Sequence, residues 1–231
     1  MPLVDKSKHG TTSPLPQYYD ALIRAYGPQH WWPGRTRFEI VAGAILTQNT
    51  NWPNVERALV QLRGEKLLSV AAILRVPSAK LANLIRSSGY FREKARKLKE
   101  FARYVQTRHG GSLTRMFRMP TAQLREELLR IHGVGPETAD AILLYAGKHP
   151  IFVVDAYTRR VLVRHGLASG RENYEEIRAL FERSLPRDVA IYNEYHALLV
   201  HIGKQHCRKA RALCDGCALQ PFLPHFVMEK I

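Results

Sequence analysis

The most informative segment of the chain is Leu129-Arg130-Ile131-His132-Gly133-Val134-Gly135-Pro136-Glu137-Thr138-Ala139. It predicts two short helices joined by a Gly-Val-Gly turn, because glycine tolerates backbone angles that exclude a Cβ and lets another backbone approach closely. Val134 is expected to turn inward, and Pro136 to start the second helix. The free amide N–H groups at that start would then form a ready site for an anion.

The charge of the chain favours a polyanionic partner. Thirty-five Lys and Arg against 20 Asp and Glu give the 231 residues a formal net charge of +15. The charge favours a nucleic-acid-binding protein over a basic enzyme of another class or a protein that binds membrane surfaces. With this charge, the turn is expected to bind DNA phosphate without regard to sequence. An ordinary helix–turn–helix connection with tight glycines is the alternative.

Helical spacing of apolar residues runs through nearly the whole chain and predicts an all-α fold. The segment Asn51-Trp52-Pro53 is typical of a cap that opens a helix, and a helix from Phe91 to Arg108 is expected to stop at the glycine pair 110–111. The short apolar run 151–154 is interpreted as a buried connector rather than a strand.

The termini and the apolar runs bear on location. No apolar run approaches the roughly 18–20 residues that span a bilayer. Residues 1–16 are polar, lack the apolar segment of a secretory signal and are interpreted as a mobile N-terminal arm. We therefore expect a cytoplasmic protein, associated with the nucleoid in a bacterium, and no membrane partner.

The motifs occur in an order that resembles the endonuclease III superfamily. Residues 129–161 resemble its helix-hairpin-helix and the Gly/Pro–Asp region that follows. Residues 43–50 are similar to its early helix ending in a glutamine, and residues 87–95 to its glycine–aromatic–Lys–Ala segment. The resemblance covers about residues 20 to 220. Trp31-Trp32-Pro33 and the stretch 46–52 are most similar to the 3-methyladenine DNA glycosylase branch.

The resemblance implies an all-α, two-lobed helix-hairpin-helix (HhH-GPD) glycosylase fold, with the active site in the cleft between lobes. Residues 36–147 would form a central lobe that includes the helix-hairpin-helix 121–146. Residues 17–35 and 148–231 would form the terminal lobe with a cysteine-bearing C-terminal loop.

The implied partner is double-stranded DNA with damaged bases, bound by a monomer. Its phosphates would contact four hairpin residues: Gly133, Val134, Gly135 and Thr138. Further candidates for contacts to the DNA backbone are Arg92, Lys94, Arg159 and Arg160, with a solvated helix face as the alternative.

Asp155 follows the apolar connector and precedes a predicted helix, so an N-cap is one role for it. The resemblance implies that it is also the catalytic carboxylate. Breaking an N-glycosidic bond leaves positive charge on the deoxyribose, and a carboxylate can stabilise that charge and assist an incoming water.

Glu137 marks a departure from the bifunctional members of the family, which carry a lysine two residues after the second hairpin glycine. A glutamate cannot form a Schiff base with the sugar. The chain is therefore expected to be a monofunctional base-excision repair glycosylase that uses water. The alternatives are a bifunctional, endonuclease III-like glycosylase and AP lyase, and a non-catalytic helix-hairpin-helix DNA-binding protein.

The three tryptophans, Trp31, Trp32 and Trp52, lie within 22 positions, in a loop and at a helix entry. A flipped base needs stacking surfaces, and indole attracts an electron-poor or cationic ring such as that of an alkylated purine. By resemblance Trp52 and either Trp31 or Trp32 would sandwich the base, with Gln48 and Lys204 also in the pocket. A plain surface position is the alternative for Lys204. Core packing is the alternative role for the tryptophans.

The three cysteines, Cys207, Cys214 and Cys217, have the spacing C-x6-C-x2-C. In relatives a fourth cysteine completes a [4Fe–4S] cluster, but Leu223 stands at that position here. The alternatives are a cluster with an incomplete cysteine set, with His225 as a further ligand to consider, a Cys3His zinc site, or no metal.

Overall fold

The computed structural model describes residues 13–224. Twelve α-helices make up most of this range: α1 Leu15–Tyr26, α2 Arg37–Leu46, α3 Trp52–Gly64, α4 Val70–Arg75, α5 Ser78–Leu84, α6 Phe91–His109, α7 Leu113–Met116, α8 Thr121–Leu129, α9 Pro136–Ala141, α10 Ala156–Arg164, α11 Tyr174–Ser184 and α12 Val189–Gln205. A π-helical segment, Ile142–Gly147, continues α9. Within the described range there is no strand, only an isolated bridge between Cys207 and Ala212, so the all-α prediction is confirmed.

Side-chain caps explain where several helices begin. The Asn51 side chain accepts a hydrogen bond from the backbone N–H of Asn54 at 3.2 Å, as the sequence predicts for the start of α3. Asn173 and Glu176 form a reciprocal capping box at α11. Each cap satisfies a backbone donor that the first helical turn leaves free, worth about 1 kcal/mol.

α6 lies at the centre of one part of the molecule and packs against α2, α4 and α5. Its buried face carries Leu98, Phe101 and Val105, which recur at helical spacing. The helix ends where predicted: Gly110 takes a left-handed conformation, and the N–H of Gly111 donates to the carbonyl of Val105 at 3.0 Å.

α10 and α12 form a second packed pair, with α1 against α12. The two helices approach closely because Gly203 has no Cβ where the ring of Tyr157 lies. The connector 151–154 runs between the two parts of the chain and is fully buried, as predicted. The proposed boundaries of the two lobes, 36–147 against 17–35 with 148–231, stay a prediction.

The predicted N-terminal arm, residues 1–16, needs a correction at its end. Residues 1–12 lie outside the described residues. Leu15 and Pro16 already belong to the first turn of α1, and Leu15 is buried against the core. Burial of this apolar residue excludes it from an arm that moves freely.

Two cations expected to contact DNA bind backbone carbonyls inside the protein. Lys94 is 2% exposed, and its ammonium donates to the carbonyl of Leu46 at 2.8 Å and to that of Ser88. Arg160 donates to the carbonyls of Cys207 and Gly203. The burial of Lys94 corrects its interpretation as a DNA contact, whereas Arg160 is half-buried and its contact with DNA stays a prediction.

None of the helices between residues 13 and 224 combines the length and the apolar character needed to cross a membrane.

Candidate active site

A pocket of about 360 Å³ lies where the hairpin, the end of α2, the π-helical segment and the start of α10 meet α12. It brings together eight residues that the sequence singled out: Trp31, Trp32, Gln48, Trp52, Glu137, Thr138, Asp155 and Lys204. Residues far apart in sequence thus line one cavity, as an active site requires.

Asp155 caps α10 and faces the pocket. Its Oδ1 accepts a hydrogen bond from the backbone N–H of Thr158 at 2.8 Å, and its Oδ2 lies 3.5 Å from Nε2 of His196. Burial alone would raise the pKa of Asp155, but the nearby imidazole of His196 and the hydrogen bond from the backbone N–H of Thr158 outweigh it and hold the pKa below its ordinary value. The carboxylate is therefore kept ionised beside an apolar cavity.

His196 and Tyr145 belong to the site although the sequence interpretation did not include them. A hydrogen bond joins Nδ1 of His196 to the hydroxyl of Tyr145, which is 1% exposed. Tyr145, His196 and Asp155 thus form a polar row in the floor of the pocket. A histidine and a tyrosine amid the apolar residues of α12 and the π-helical segment were the available signal.

Glu137 stands in the first turn of α9 and lines the pocket that also contains Asp155. Solvent reaches its side chain from the open side of the pocket. Burial by the pocket walls and the negative charge of Asp155 raise the pKa of Glu137 to about 7, while His196 and Arg159 act in the opposite direction. Near neutral pH this carboxyl is therefore shared between its acid and its ionised form.

The three tryptophans contact one another around the pocket. The ring centroids of Trp32 and Trp52 are 5.3 Å apart at 88°, and those of Trp31 and Trp52 are 5.7 Å apart at 56°. A base held between two parallel rings needs about twice the ~3.5 Å contact distance. The indoles thus line the pocket with faces and edges, and the stacking of a base between them stays a prediction.

Two further contacts shape the aromatic wall. The ammonium of Lys204 lies 5.8 Å from the ring centroid of Trp31, at the exposed end of α12. Gly43 of α2 leaves room for Trp32, since a Cβ there would lie 3.0 Å from the indole. The absence of a side chain at Gly43 thus allows the Trp32 indole to pack closely against α2.

The hairpin adopts the turn expected from its glycines. Gly133 has a φ of +80°, and Lys97 packs where its Cβ would stand. Val134 is buried, as expected, and Gly135 caps α9 with open space where a Cβ would be. Gly133 therefore serves the turn itself, whereas Gly135 keeps the outer surface of the hairpin free of side chain.

Gln48 ties the hairpin to α2 rather than offering free polar groups to a base. Its Nε2 donates to the carbonyl of Gly133 at 3.0 Å and to Oγ1 of Thr138 at 2.9 Å, and its Oε1 accepts from Lys97. The side chain of Thr138, a predicted DNA contact, is 7% exposed. Its hydroxyl is thus engaged inside the protein by Gln48, and a contact between Thr138 and DNA stays a prediction.

The three cysteines line a separate cavity of about 130 Å³. Arg164 donates to Sγ of Cys207 at 3.2 Å, and burial raises the pKa of the Cys214 and Cys217 thiols. Leu223 lines the same cavity at the position of the fourth thiolate.

A four-thiolate iron–sulfur site does not fit these residues, because the side chain of Leu223 has no ligand atom. His225 lies outside the described residues. No group of three or more metal-ligating side chains is gathered within residues 13–224. The incomplete cluster, the zinc site and the metal-free loop all stay predictions.

Comparison with known proteins gives concordant results. Residues 42–187 match the model of the HhH-GPD superfamily of base excision DNA repair proteins. A protein of Methanocaldococcus jannaschii, provisionally named a DNA repair glycosylase, is 48% identical over 88% of this chain and 93% of its own length. Endonuclease III of Thermotoga maritima is 30% identical over 79% of this chain and 80% of its own.

Two solved structures share the fold. An endonuclease III–DNA complex superimposes with a TM-score of 0.81 at 22% identity, covering 96% of this chain and 99% of the other. A Helicobacter pylori 3-methyladenine DNA glycosylase bound to 1,N6-ethenoadenine superimposes with a TM-score of 0.69 at 29% identity, covering 82% and 94%.

Proposed function

The chain is a DNA glycosylase of the HhH-GPD superfamily of base excision DNA repair proteins, and we propose that it removes alkylated purines from double-stranded DNA by hydrolysis, without cutting the strand. It would act as a monomer. One observation carries the proposal: the ionised carboxylate of Asp155 lies in a pocket walled by three tryptophans, next to Glu137 rather than a lysine.

The proposed chemistry has two parts. The bond between C1′ of the deoxyribose and the purine nitrogen breaks, its electron pair leaves with the base, and Asp155 stabilises the cationic sugar. Water then adds to C1′ and loses a proton, which leaves an abasic site on an intact strand. No step uses the cysteine cavity.

The choice of an alkylated purine follows from the aromatic wall. A purine methylated at a ring nitrogen carries positive charge, and indole faces attract a desolvated cation by up to ~2 kcal/mol. Among the described residues that line the pocket, only Lys204 carries a fixed positive charge. It sits at the exposed end of the pocket, so the inner wall stays free for a cationic base.

DNA would be held mainly through its backbone. The outer surface of Gly135 is free of side chain, and the amide groups at the start of α9 suit a phosphate. Gly133 and Val134 shape this turn from within. The net charge of +15 supports the same mode of binding.

An assay on one substrate tests the proposal. A duplex carrying 3-methyladenine is incubated with the protein, the released base is measured by chromatography, and the strand is examined before and after alkali. We expect free 3-methyladenine and a strand that breaks only after alkali. No base release would contradict the proposal, as would breaks without alkali at the rate of base release.

A bifunctional, endonuclease III-like activity is the second candidate, and the amine of Lys204 in the pocket favours it. An unprotonated lysine there could attack C1′ and form a Schiff base. Borohydride trapping on an abasic duplex separates the candidates. A covalent protein–DNA complex that forms with the wild-type protein and is lost in Lys204→Ala would establish this activity. Absence of the complex with the wild-type protein would exclude it.

A further inference from the structure

We propose that Glu137 is a proton donor to the departing base, which extends the activity of the pocket from cationic purines to uncharged purine lesions. The inference rests on the proposed function, since it concerns the same pocket and the same bond. It gives Glu137, which stands where bifunctional relatives carry a lysine, a role in catalysis. It also adds a class of substrate whose base has to be protonated before it can leave.

The position of Glu137 carries the first step of the argument. The first turn of α9 holds it at the pocket. Among residues 13–224 its carboxyl has neither a hydrogen bond nor an ion pair. Asp140, three positions on, is fully buried and paired with Arg125 at 2.6 Å. Unlike Asp140, Glu137 is therefore available to contact a molecule bound in the pocket.

The surroundings of Glu137 favour its acid form. Burial and Asp155 raise its pKa to about 7, against the opposing charges of His196 and Arg159. The titratable and charged groups that line the pocket or act on Glu137 are Asp155, Arg159, His196, Lys204, Tyr145, Tyr157 and Tyr174. A carboxylic acid whose pKa is near the working pH is suited to general acid catalysis.

Two carboxyl groups with separated pKa values divide the labour in many enzymes that break glycosidic bonds. Here the pKa of Asp155 is lowered and that of Glu137 is raised. Asp155 therefore stays ionised for the sugar cation, while Glu137 retains a proton for the base. The two roles follow because one pocket holds Asp155 in its ionised form and Glu137 with a proton to give.

Proton transfer from Glu137 accompanies the departure of the base. The C1′–N9 bond breaks and its electron pair stays on N9 of the purine. The Glu137 carboxylic acid gives its proton to a ring nitrogen, so an uncharged base leaves and Glu137 becomes a carboxylate. Water adds to C1′ and releases a proton to solvent, and Glu137 regains one from solvent. The net reaction consumes one water.

A purine that is already cationic needs no such proton, because it leaves as a neutral base when the bond breaks. The acid form of Glu137 should thus matter for uncharged lesions and much less for cationic ones. This difference separates proton donation from a general structural role, which would affect both classes alike.

The test compares two adenine lesions in duplex DNA under single-turnover conditions: uncharged 1,N6-ethenoadenine and cationic 3-methyladenine. Glu137→Gln keeps the shape and removes the acid. We expect it to lower release of 1,N6-ethenoadenine by about 10²- to 10⁴-fold, the range for a lost general acid, and that of 3-methyladenine by less than tenfold. Glu137→Asp should restore part of the loss. Glu126→Gln, an exposed carboxyl on α8, is the matched control.

The pH profile supplies a second readout. Release of 1,N6-ethenoadenine by the wild-type protein should fall as pH rises through about 7, because Glu137 then loses its proton. That fall should be absent from Glu137→Gln. Equal losses on both lesions, or wild-type release of 3-methyladenine without any of 1,N6-ethenoadenine, would overturn the inference and leave the proposed function standing. Release of neither lesion would overturn both.

Discussion

Nε2 of His196 lies 3.5 Å from Oδ2 of Asp155, while Nδ1 of the same ring is hydrogen-bonded to Tyr145. Tyr145 is buried in the π-helical segment and fixes the orientation of the imidazole. His196 thereby links the carboxylate at the start of α10 to the core. We interpret it as a positioning residue that holds Asp155 in place and ionised.

His196→Ala should slow base release, because the imidazole beside Asp155 orients its carboxylate and keeps it ionised. Because His196 lowers the pKa of Asp155, its loss should also move the acidic limb of the pH–rate profile to higher pH. His201→Ala on the same helix, which packs on Tyr26, is the control. An unmoved limb, with activity falling only as the folded fraction falls, would assign His196 a structural role.

Glu137→Lys restores the residue that bifunctional relatives carry at this position, and we expect it to introduce some AP lyase activity. The new amine would sit beside Asp155, where it can form a Schiff base with the sugar. Borohydride trapping on an abasic duplex measures this, with the wild-type protein alongside. Efficient trapping of the wild type would refute the monofunctional assignment.

Trp52→Ala removes one aromatic wall of the pocket and leaves Asp155 in place. Stacking of a base on an aromatic ring is worth ~1–3 kcal/mol, so release of 3-methyladenine should fall by about one to two orders of magnitude at low substrate. Affinity for undamaged duplex should hardly change. A core role would instead cost ~3–5 kcal/mol of stability. A large drop in melting temperature with unchanged specific activity would therefore defeat the stacking role.

Binding to undamaged duplex should weaken steeply with salt and show little preference for sequence. The net charge of +15 and the backbone contacts proposed at Gly135 both require it, because released counterions set the slope of affinity against salt. Fluorescence anisotropy from low to physiological salt measures the slope. An affinity that salt leaves unchanged would contradict this mode of binding.

The all-α fold and most of the residues that line the pocket could be predicted, because the motifs that carry them are local. The hairpin glycines, the connector before Asp155 and the tryptophan loop each have a signature in sequence. Their assembly into one cavity follows from the family resemblance. The roles inside the cavity depend on which atoms meet across the fold, and that information is not local.

Lys94 shows why some interpretations failed. It precedes Leu98 and Phe101 by four and seven positions, and so lies on the buried stripe of α6. A lysine there is tolerated because its ammonium binds the free carbonyls of Leu46 and Ser88, and burial lowers its pKa to about 8. Spacing reveals the stripe, but the carbonyls come from other elements that a sequence does not bring together.

The carboxylate of Asp155, in the tryptophan pocket, is proposed to stabilise the cationic sugar as the bond between base and sugar breaks. The most direct measurement is the single-turnover rate of 3-methyladenine release by Asp155→Asn, with affinity for an undamaged duplex measured on the same sample. Asparagine keeps an acceptor for the N–H of Thr158, so α10 should remain capped. We predict a loss of at least ~10²- to 10³-fold in rate with nearly unchanged affinity. Release at the wild-type rate would contradict the account.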